Sequence, residues 1–336
     1  MQYKRLLVTG GAGFIGSAFI RYGLAHIPYL EKVVNLDLLT YASSRAALAE
    51  LEREARYSLV GGNILNGPLI EQILREHAID AIVHFAAESH VDRSIDEPLS
   101  FYQTNVGGTL ALLDVVRRFP KVHFHHVSTD EVFGSTLEGS FTETSPYQPN
   151  SPYAASKAGS DHFVRAYAHT YGLSTTLSHC TNNYGPYQHP EKFIPRMIRG
   201  CFEKTSLPLY GSGLNVRDWI YVDDHVEAIW KILESGRRGE AYNIGANAPW
   251  TNLALLRKII ELVAEVQGER PALYEPLIAF VTDRLGHDFR YALDSSKIKR
   301  ELGWQPRTEF TTALLKTIQH YYDSTEKSHL CHSRTP

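Results

Sequence analysis

The stretch VTGGAGFIGS, residues 8–17, follows a short apolar run and precedes a helix-like segment. Gly10, Gly13 and Gly16 have the spacing Gly-x-x-Gly-x-x-Gly, which permits a tight turn and a close approach of the backbone to a diphosphate. The N-terminus of the next helix would add free N–H groups and a favourable dipole. A glycine trio alone could equally form a plain turn. Between a strand and a helix, however, it predicts a dinucleotide-binding βαβ unit.

An acidic residue ends the second apolar run, at the position where such units bind the adenosine ribose. Asp37 stands 21 residues after Gly16 and would accept hydrogen bonds from the ribose hydroxyls. Leu38, Leu39 and Thr40 follow it, so no basic side chain is placed to meet a 2′-phosphate. The sequence therefore favours NAD over NADP.

Further apolar, β-rich runs alternate with helix-like segments through the first half of the chain. Continuous apolar strands separated by helices predict a doubly wound parallel Rossmann sheet, an α/β fold covered on both faces. The predicted strands are 4–10, 32–37, 57–62, 81–87, 122–129 and 174–180, and the predicted helices between them are 68–77, 109–119 and 156–172.

The alternation breaks after about residue 180, where loops rich in Pro, Gly and Tyr begin. We expect an NAD-binding domain over 1–180, to which part of 215–245 returns. A smaller α/β substrate-binding domain is predicted over 181–325, with helices at 223–235 and 253–266. The tail 326–336 is polar and predicted to be disordered.

Composition excludes several classes of partner. The chain has 336 residues, 43% hydrophobic and 21% charged, with a formal net charge of −3, so neither nucleic acid nor an anionic membrane is an expected partner. No stretch approaches the roughly 18 apolar residues of a membrane span, and the N-terminal run lacks a signal-type cleavage site. Scattered Cys180, Cys201 and Cys331 suggest a reducing compartment, so we expect a cytoplasmic protein.

The pentapeptide YAASK, residues 153–157, places Tyr153 and Lys157 on one face of a predicted helix. A phenol is a poor base at neutral pH, with a reference pKa near 10. A nearby ammonium and the positive nicotinamide of NAD would favour the phenolate, which could then take a proton from an alcohol. Five residues alone would more often be an exposed helix pair, but the glycine loop upstream favours a catalytic pair.

The stretch STDEVFG, residues 128–134, places Asp130 and Glu131 at the end of an apolar strand. Adjacent carboxyls there either form a solvated turn or perform acid–base chemistry. In a desolvated cleft the two can share one proton, because each negative charge disfavours ionisation of the other. The neighbouring His123, His125 and His126 are expected to be packed histidines, and no metal site is predicted.

Together these features resemble the extended short-chain dehydrogenase/reductase superfamily and, within it, the nucleoside-diphosphate-sugar 4,6-dehydratases. The resemblance spans nearly the whole chain. It is carried by GGAGFIGS (10–17), AAESHVDRSI (86–95), TNVGGT (104–109), STDEVFG, YAASK, NNYGPYQHPEKFIP (182–195), LPLYGSGLNVRDWIYVDDH (207–225) and DRLGHDFRYALD (283–294).

The resemblance implies a division of labour among five residues. Tyr153 takes the proton of the sugar 4-hydroxyl as NAD oxidises C4, Lys157 holds the tyrosinate and the cofactor ribose, and Thr129 hydrogen-bonds the 4-oxygen. Glu131 then removes the C5 proton, and Asp130 protonates the departing 6-hydroxyl. The implied substrate is dTDP-glucose, the implied product a 4-keto-6-deoxy sugar nucleotide, and the implied assembly a homodimer.

The resemblance also implies two sets of binding residues. The cofactor would meet Gly10, Gly13, Phe14, Ile15, Gly16, Asp37, Leu38, Leu39, Thr40, Asn63, Ile64, Phe85, Ala86, Ala87, Glu88, Ser89, Thr104, Tyr153, Lys157 and Asn183. The substrate would meet Ser89, Thr129, Asn182, Lys192, Phe193, Pro208, Tyr210, Arg217, Asn252, Arg284, His287 and Tyr321.

Three positions depart from the family pattern: Asn63 replaces Asp, Phe133 replaces Tyr, and Leu285 replaces Pro before Gly286 and His287. Two other functions stay open at this point. A 4-epimerase or decarboxylase would share the glycine loop and the Tyr/Lys pair but not the Asp-Glu pair, and a catalytically silent dinucleotide-binding regulator needs neither pair. The nucleotide base also stays open between thymine and uracil.

Overall fold

The fold is known from a computed structural model, which describes the backbone of residues 2–332 and the side chains of residues 2–324. Its centre is a seven-stranded sheet in the order β3-β2-β1-β4-β5-β6-β10, in which every neighbouring pair is parallel. Its strands are β1 (Arg5–Thr9), β2 (Lys32–Asp37), β3 (Tyr57–Gly61), β4 (Ala81–His84), β5 (His123–Thr129), β6 (Thr175–Cys180) and β10 (Ala241–Ile244). The predicted doubly wound α/β fold is confirmed.

Two small sheets lie outside the central one. They comprise β7 (Asn182–Tyr184), β9 (Val216–Tyr221) and β11 (Pro249–Thr251), and β8 (Leu207–Tyr210) with β12 (Ile278–Val281). The helices are α1 (Phe14–His26), α2 (Arg45–Ala49), α3 (Gly67–Glu76), α4 (Val91–Asp96), α5 (Pro98–Phe101), α6 (Gly108–Val116), α7 (Pro152–Tyr171), α8 (Phe193–Glu203), α9 (Val222–Ser235), α10 (Asn252–Gln267), α11 (Ser296–Leu302) and α12 (Phe310–His332).

The central sheet is buried on both faces, which explains why its inner strands are apolar without alternation. On one face α1 packs against α9, with Phe19 stacked on Trp230 at a ring separation of 4.6 Å. On the other face Ile70, Leu112 and Val164 of α3, α6 and α7 form a second apolar core. Because α9 and β10 join this central layer, the segment 222–244 lies with the N-terminal part of the chain.

Helix α7 begins at Pro152, one residue before the pentapeptide YAASK, which was predicted to lie on a helix, and four residues before the predicted span 156–172. Ser151 caps it by accepting a hydrogen bond from the Ala154 backbone, and Pro152 takes the first helical position, where a missing N–H costs nothing. Tyr153 therefore lies in the first turn of the helix. Helix α6 ends at Val116, before the predicted end at 119.

The remaining elements form a unit with its own apolar core, in which α8, α10 and α12 pack around β8 and β9. Helix α12 continues to His332, so a helix occupies residues 326–332 where a disordered tail was predicted. Glu326, Lys327 and Leu330 are good helix formers, which accounts for the difference. Residues 333–336 lie outside the described part. No helix in 2–332 is long and apolar enough to cross a membrane.

Candidate active site

The carboxyl ends of the parallel strands gather the predicted functional residues at one edge of the central sheet. The glycine loop follows β1, Asp37 ends β2, and the segment 85–89 follows β4. Thr129 ends β5, and Asn182 lies just after the end of β6. Ligands bind at this edge in open α/β sheets, where the strand order reverses.

The glycine loop is packed so closely that side chains would not fit. Gly10 has φ +72°, and a Cβ there would lie 2.6 Å from the backbone nitrogen of Ala86. A Cβ on Gly16 would lie 2.3 Å from the Gly10 carbonyl oxygen. Both close contacts are with backbone, which cannot rotate away. The N–H groups of residues 10–13 bond within the protein, so the first turn of α1 is what the loop leaves for a diphosphate.

We expect Gly16→Ala to lower NAD affinity by about 10²-fold, since the loop must shift by about 1 Å to admit the methyl group. Calorimetric titration of the purified variant with NAD measures the change. Gly61→Ala is the matched control, because a Cβ at Gly61 meets no atom within 4 Å. Equal NAD affinity of Gly16→Ala and the parent would contradict this account of the loop.

Asp37 is buried and holds the loop that follows it. Its Oδ2 accepts a hydrogen bond from the Ala12 backbone at 2.9 Å, and its Oδ1 accepts one from Leu39 at 2.8 Å. Leu38 and Leu39 are exposed beside it. Asp37 thus ties the end of β2 to the glycine loop, at the position predicted for the adenosine ribose.

A single buried asparagine, which the sequence analysis did not single out, fixes the predicted cofactor segment 85–89. Asn105 accepts a hydrogen bond from Glu88 N at 2.8 Å and donates to Glu88 O at 3.0 Å and to Ser156 Oγ at 2.8 Å. It lies in a π-helical turn, Tyr102–Gly107, that also carries Thr104.

The predicted cofactor residues Asn63 and Ile64 lie in the loop after β3. Ile64 packs against Gly108 at the start of α6, and the Asn63 side chain accepts a hydrogen bond from the Leu65 backbone N–H.

The five predicted catalytic residues come together at the ends of β5 and α7. Thr129 Oγ1 donates to Asp130 Oδ1 at 3.3 Å, accepts from Glu131 N at 3.3 Å, and hydrogen-bonds the Tyr153 hydroxyl. Asp130 is buried, with no hydrogen-bond partner for its Oδ2 among the described residues. Glu131 is half-buried. The acid pair is therefore not a solvated turn.

The two carboxyls have different surroundings. Burial and the adjacent Glu131 raise the pKa of Asp130 well above its usual value. Burial also raises the pKa of Glu131, but the nearby charges of Arg217, Lys192 and Arg284 oppose that rise. Environments that separate the pKa values of two carboxyls suit one as acid and the other as base. The surroundings thus favour a proton on Asp130 more strongly than on Glu131, which is the order that the predicted roles of acid and base require.

Tyr153 and Lys157 are both buried near the start of α7. Burial and the charge of Glu131 raise the pKa of Tyr153 well above its usual value, so its phenolate would depend on the two positive charges named above, the ammonium and the nicotinamide of NAD. Lys157 Nζ donates to the Val127 carbonyl at 2.9 Å and lies 3.4 Å from His126 Nε2. The Lys157 ammonium is thus hydrogen-bonded to the backbone of β5.

Three cations among the predicted substrate residues lie near the acid pair but are held by local contacts. Lys192 Nζ donates to Ser89 O at 2.8 Å, and Arg284 pairs with Asp92 at 3.3 Å. Arg217 is buried, donates to the Asp288 carbonyl at 2.8 Å and lies over the Tyr291 ring. The contacts of Lys192 with Ser89 and of Arg284 with Asp92 connect the two parts of the chain.

The other predicted substrate residues occupy the walls of the same region. Tyr210 of β8 lies near His287 and under the Arg284 guanidinium, and Pro208 precedes it on that strand. Phe193 packs near Trp219, and Asn182 pairs with Trp219 between β7 and β9. The Asn252 backbone N–H donates to the Asn215 carbonyl, and the Tyr321 hydroxyl donates to the Gln188 carbonyl. Asn183, predicted on the cofactor side, hydrogen-bonds His225.

The structure shows the surroundings of Phe133 and Leu285, two of the positions that depart from the family pattern. Phe133 is buried in an aromatic cluster with Phe141, Tyr147 and His179. Leu285 is exposed in a loop where His287 Nδ1 lies 2.5 Å from Asp283 Oδ1, so a carboxylate holds this imidazole without the usual proline.

The sequence analysis also missed a buried network behind Lys157. Asp161 lies between His126 and His179 and is fully buried. A signal was available, since Tyr153, Lys157 and Asp161 continue one four-residue spacing along α7.

Comparisons with known proteins show the family of the chain. A family model described as GDP-mannose 4,6 dehydratase matches residues 7–317. The dTDP-glucose 4,6-dehydratases of Haemophilus influenzae and Xanthomonas campestris pv. campestris (strain B100) are 47% and 50% identical, covering 96% and 94% of this chain and 99% and 92% of their own. The crystal structure of DesIV, a dTDP-glucose 4,6-dehydratase of Streptomyces venezuelae with NAD and dTDP bound, is 48% identical with a TM-score of 0.90, covering 96% of this chain and 98% of its own.

Proposed function

The chain belongs to the GDP-mannose 4,6 dehydratase family, and we infer from this membership and from the site that it converts dTDP-glucose to dTDP-4-keto-6-deoxyglucose and water. It is an NAD-dependent hydro-lyase. The observation that carries the dehydratase activity is the buried Asp130–Glu131 pair beside Tyr153, because epimerisation needs no acid and base for loss of water. A silent dinucleotide-binding protein would need none of these three side chains.

The residues present fit NAD. The glycine loop has no room for a side chain at Gly10 or at Gly16, as a diphosphate cradle requires. Asp37 marks the ribose end without a basic neighbour. When bound, NAD supplies the acceptor for hydride from C4 and returns that hydride to C6. The role of Asn105 is to hold the backbone of the segment that carries Glu88, which is predicted to bind NAD.

We assign the proton transfers to the chain's own groups. Tyr153 takes the proton of the 4-hydroxyl while Thr129 hydrogen-bonds the 4-oxygen. The resulting ketone acidifies C5, and Glu131 takes the C5 proton. The C6–O bond breaks as Asp130 gives its proton to the departing hydroxyl, so that water forms and a C5=C6 double bond remains. As hydride returns to C6, Glu131 gives its proton back to C5, which completes the 4-keto-6-deoxy sugar. General acid and base steps of this kind typically contribute 10²–10⁴-fold in rate.

A direct assay tests the reaction. The purified protein is incubated with NAD and dTDP-glucose, alkali is added, and the absorbance characteristic of 4-keto-6-deoxy products is measured. We expect that absorbance to develop. A 4-epimerase would instead give dTDP-galactose, and a silent binding protein would give no product.

We propose thymine as the preferred base. Lys192, Arg217 and Arg284 would bind the diphosphate, with Arg as a bidentate donor and Lys as a point charge. Phe193, Pro208 and Tyr210 would line the base pocket. We expect kcat/KM to be about tenfold or more higher for dTDP-glucose than for UDP-glucose, since a missing methyl group in an apolar pocket costs about that much. Equal values for the two sugars would refute the thymine preference.

We further propose that the protein is a cytoplasmic homodimer. Helices α5 and α7 and the π-helical turn pack on one another, and they expose Leu99, Tyr102 and Phe163. Apolar side chains on adjacent elements suit an interface with a second copy. Sedimentation or light scattering of the parent and of Phe163→Asp tests this, with a monomeric parent as the contradicting result.

A further inference from the structure

Behind the Tyr153/Lys157 pair lies a buried polar network that the proposed mechanism does not use. Its centre is Asp161, whose Oδ2 accepts hydrogen bonds from Ser128 Oγ at 2.8 Å and Tyr147 OH at 2.9 Å. His179 Nε2 lies 3.3 Å from the same oxygen. The other oxygen, Oδ1, lies 3.2 Å from His126 Nε2. The network is built from β5, β6, α7 and the loop before α7.

Asp161 carries a negative charge in a fully buried position. Burial would raise the pKa of its carboxyl, but the nearby rings of His126 and His179 hold that pKa far below its usual value. His126 is itself neutral at physiological pH, because burial and the charge of Lys157 lower its pKa to about 4. The histidine therefore does not neutralise the carboxylate, whose Oδ1 has no hydrogen-bond partner among the described residues.

A buried carboxylate requires a compensating charge, and Lys157 is the cation placed to provide it. Lys157 stands one helical turn before Asp161 on α7, and its Nζ lies 3.4 Å from the His126 nitrogen that faces Asp161. Burial lowers the pKa of Lys157, and Asp161 opposes that change. Arg165 reaches the network only through the Tyr147 hydroxyl, on the opposite side.

We propose that Asp161 is a positioning residue for the reaction: its carboxylate and the Lys157 ammonium lie on either side of His126 Nε2, and the negative charge keeps the ammonium charged and in place near Tyr153. Asp161 acts through Lys157 and touches no reacting atom. The proposal rests on the proposed function, because only there does Lys157 support a catalytic tyrosinate. It extends the Tyr/Lys pair of one helix face to a Tyr/Lys/Asp set with a regular four-residue spacing.

Other groups near Lys157 do not provide the charge that Asp161 provides. His84 of β4 and His126 of β5 are neutral, because burial lowers their pKa values. Cys180 of β6 is a neutral thiol, because burial raises its pKa to about 12. On the Tyr153 side, Glu131 and Asp130 face the phenol and oppose its ionisation.

The test is the pH dependence of kcat/KM for dTDP-glucose in Asp161→Asn. Without the carboxylate, the ammonium is less stable and supports the tyrosinate less, so the pKa of Tyr153 rises. We expect the acid limb of the profile to move up by about one pH unit, which is about tenfold in kcat/KM on that limb. A purely structural role would lower the amount of active protein at every pH and leave the limb in place.

Tyr147→Phe is the matched control. It removes one hydrogen bond from the same carboxylate but leaves the charge facing Lys157, so its acid limb should stay where the parent has it. An unmoved limb in Asp161→Asn, or an equal movement in both variants, would overturn the proposal. A parent that forms no 4-keto product refutes the proposed function instead. The thermal unfolding described next then tests whether Asp161 supports the charge of Lys157.

A second measurement needs no substrate and covers the case in which Asp161→Asn does not fold. Thermal unfolding is compared for Lys157→Met, Asp161→Asn and the double variant. Each single variant leaves one buried charge without its partner, whereas the double variant removes both, so the double variant should melt above at least one single variant. Additive losses of melting temperature would refute the coupling between Lys157 and Asp161.

Discussion

Glu131→Gln is expected to oxidise C4 of dTDP-glucose yet fail to lose water, with a fall of about 10³-fold in the rate of dehydration. Glutamine keeps the shape of the side chain but has no basic oxygen for the C5 proton. The carboxyl of Glu131 is half-buried, and Arg217, Lys192 and Arg284 favour its charged, basic form. Reaction should therefore stop at the 4-keto intermediate, with the cofactor reduced.

A single-turnover experiment measures this directly. Reduced cofactor is followed by its absorbance, and the 4-keto-6-deoxy product by its absorbance in alkali. Glu143→Gln is the matched control, since Glu143 is also half-buried and accepts a single backbone hydrogen bond, from Asn243 at 2.9 Å. If Glu131→Gln released product at the parent rate, the role assigned to Glu131 would be wrong.

Removal of the Tyr153 hydroxyl should stop the reaction one step earlier. In Tyr153→Phe no group remains to take the 4-hydroxyl proton, so we expect a loss of about 10³-fold in C4 oxidation and no accumulation of reduced cofactor. The side chain is buried and hydrogen-bonded to Thr129, so the phenylalanine ring should occupy the same space. The two variants thus differ in whether the cofactor becomes reduced.

The control for this variant is Tyr184→Phe. Tyr184 is also buried, and its hydroxyl donates one hydrogen bond, to Phe310 O at 3.2 Å, within the core of the C-terminal unit. It should keep the parent activity. Reduced cofactor appearing in Tyr153→Phe at the parent rate would assign the proton transfer to another group.

The pattern of the sequence was sufficient for the central layer of the fold. Six of the strands could be predicted because each is a continuous apolar run, and the order of strands and helices implies a parallel sheet. The glycine loop was predictable because its spacing is local, and Asp37 because it follows at a fixed distance. The ends of α6 and α7 were not, since capping by Ser151 and the turn after Val116 depend on single residues.

The sequence by itself determined which chemical groups this protein possesses: the glycine loop, the Tyr153/Lys157 pair and the adjacent acids, all recognisable at short spacing. Only the tertiary structure decided how those groups are charged. The pKa of Asp130 is separated from that of Glu131 by burial and by cations far along the chain, and Lys157 and Asp161 both lie beside His126 Nε2 of β5. The physical reason is that a pKa depends on burial and on charges a few ångströms away in space, whereas sequence spacing reports only neighbours on one element.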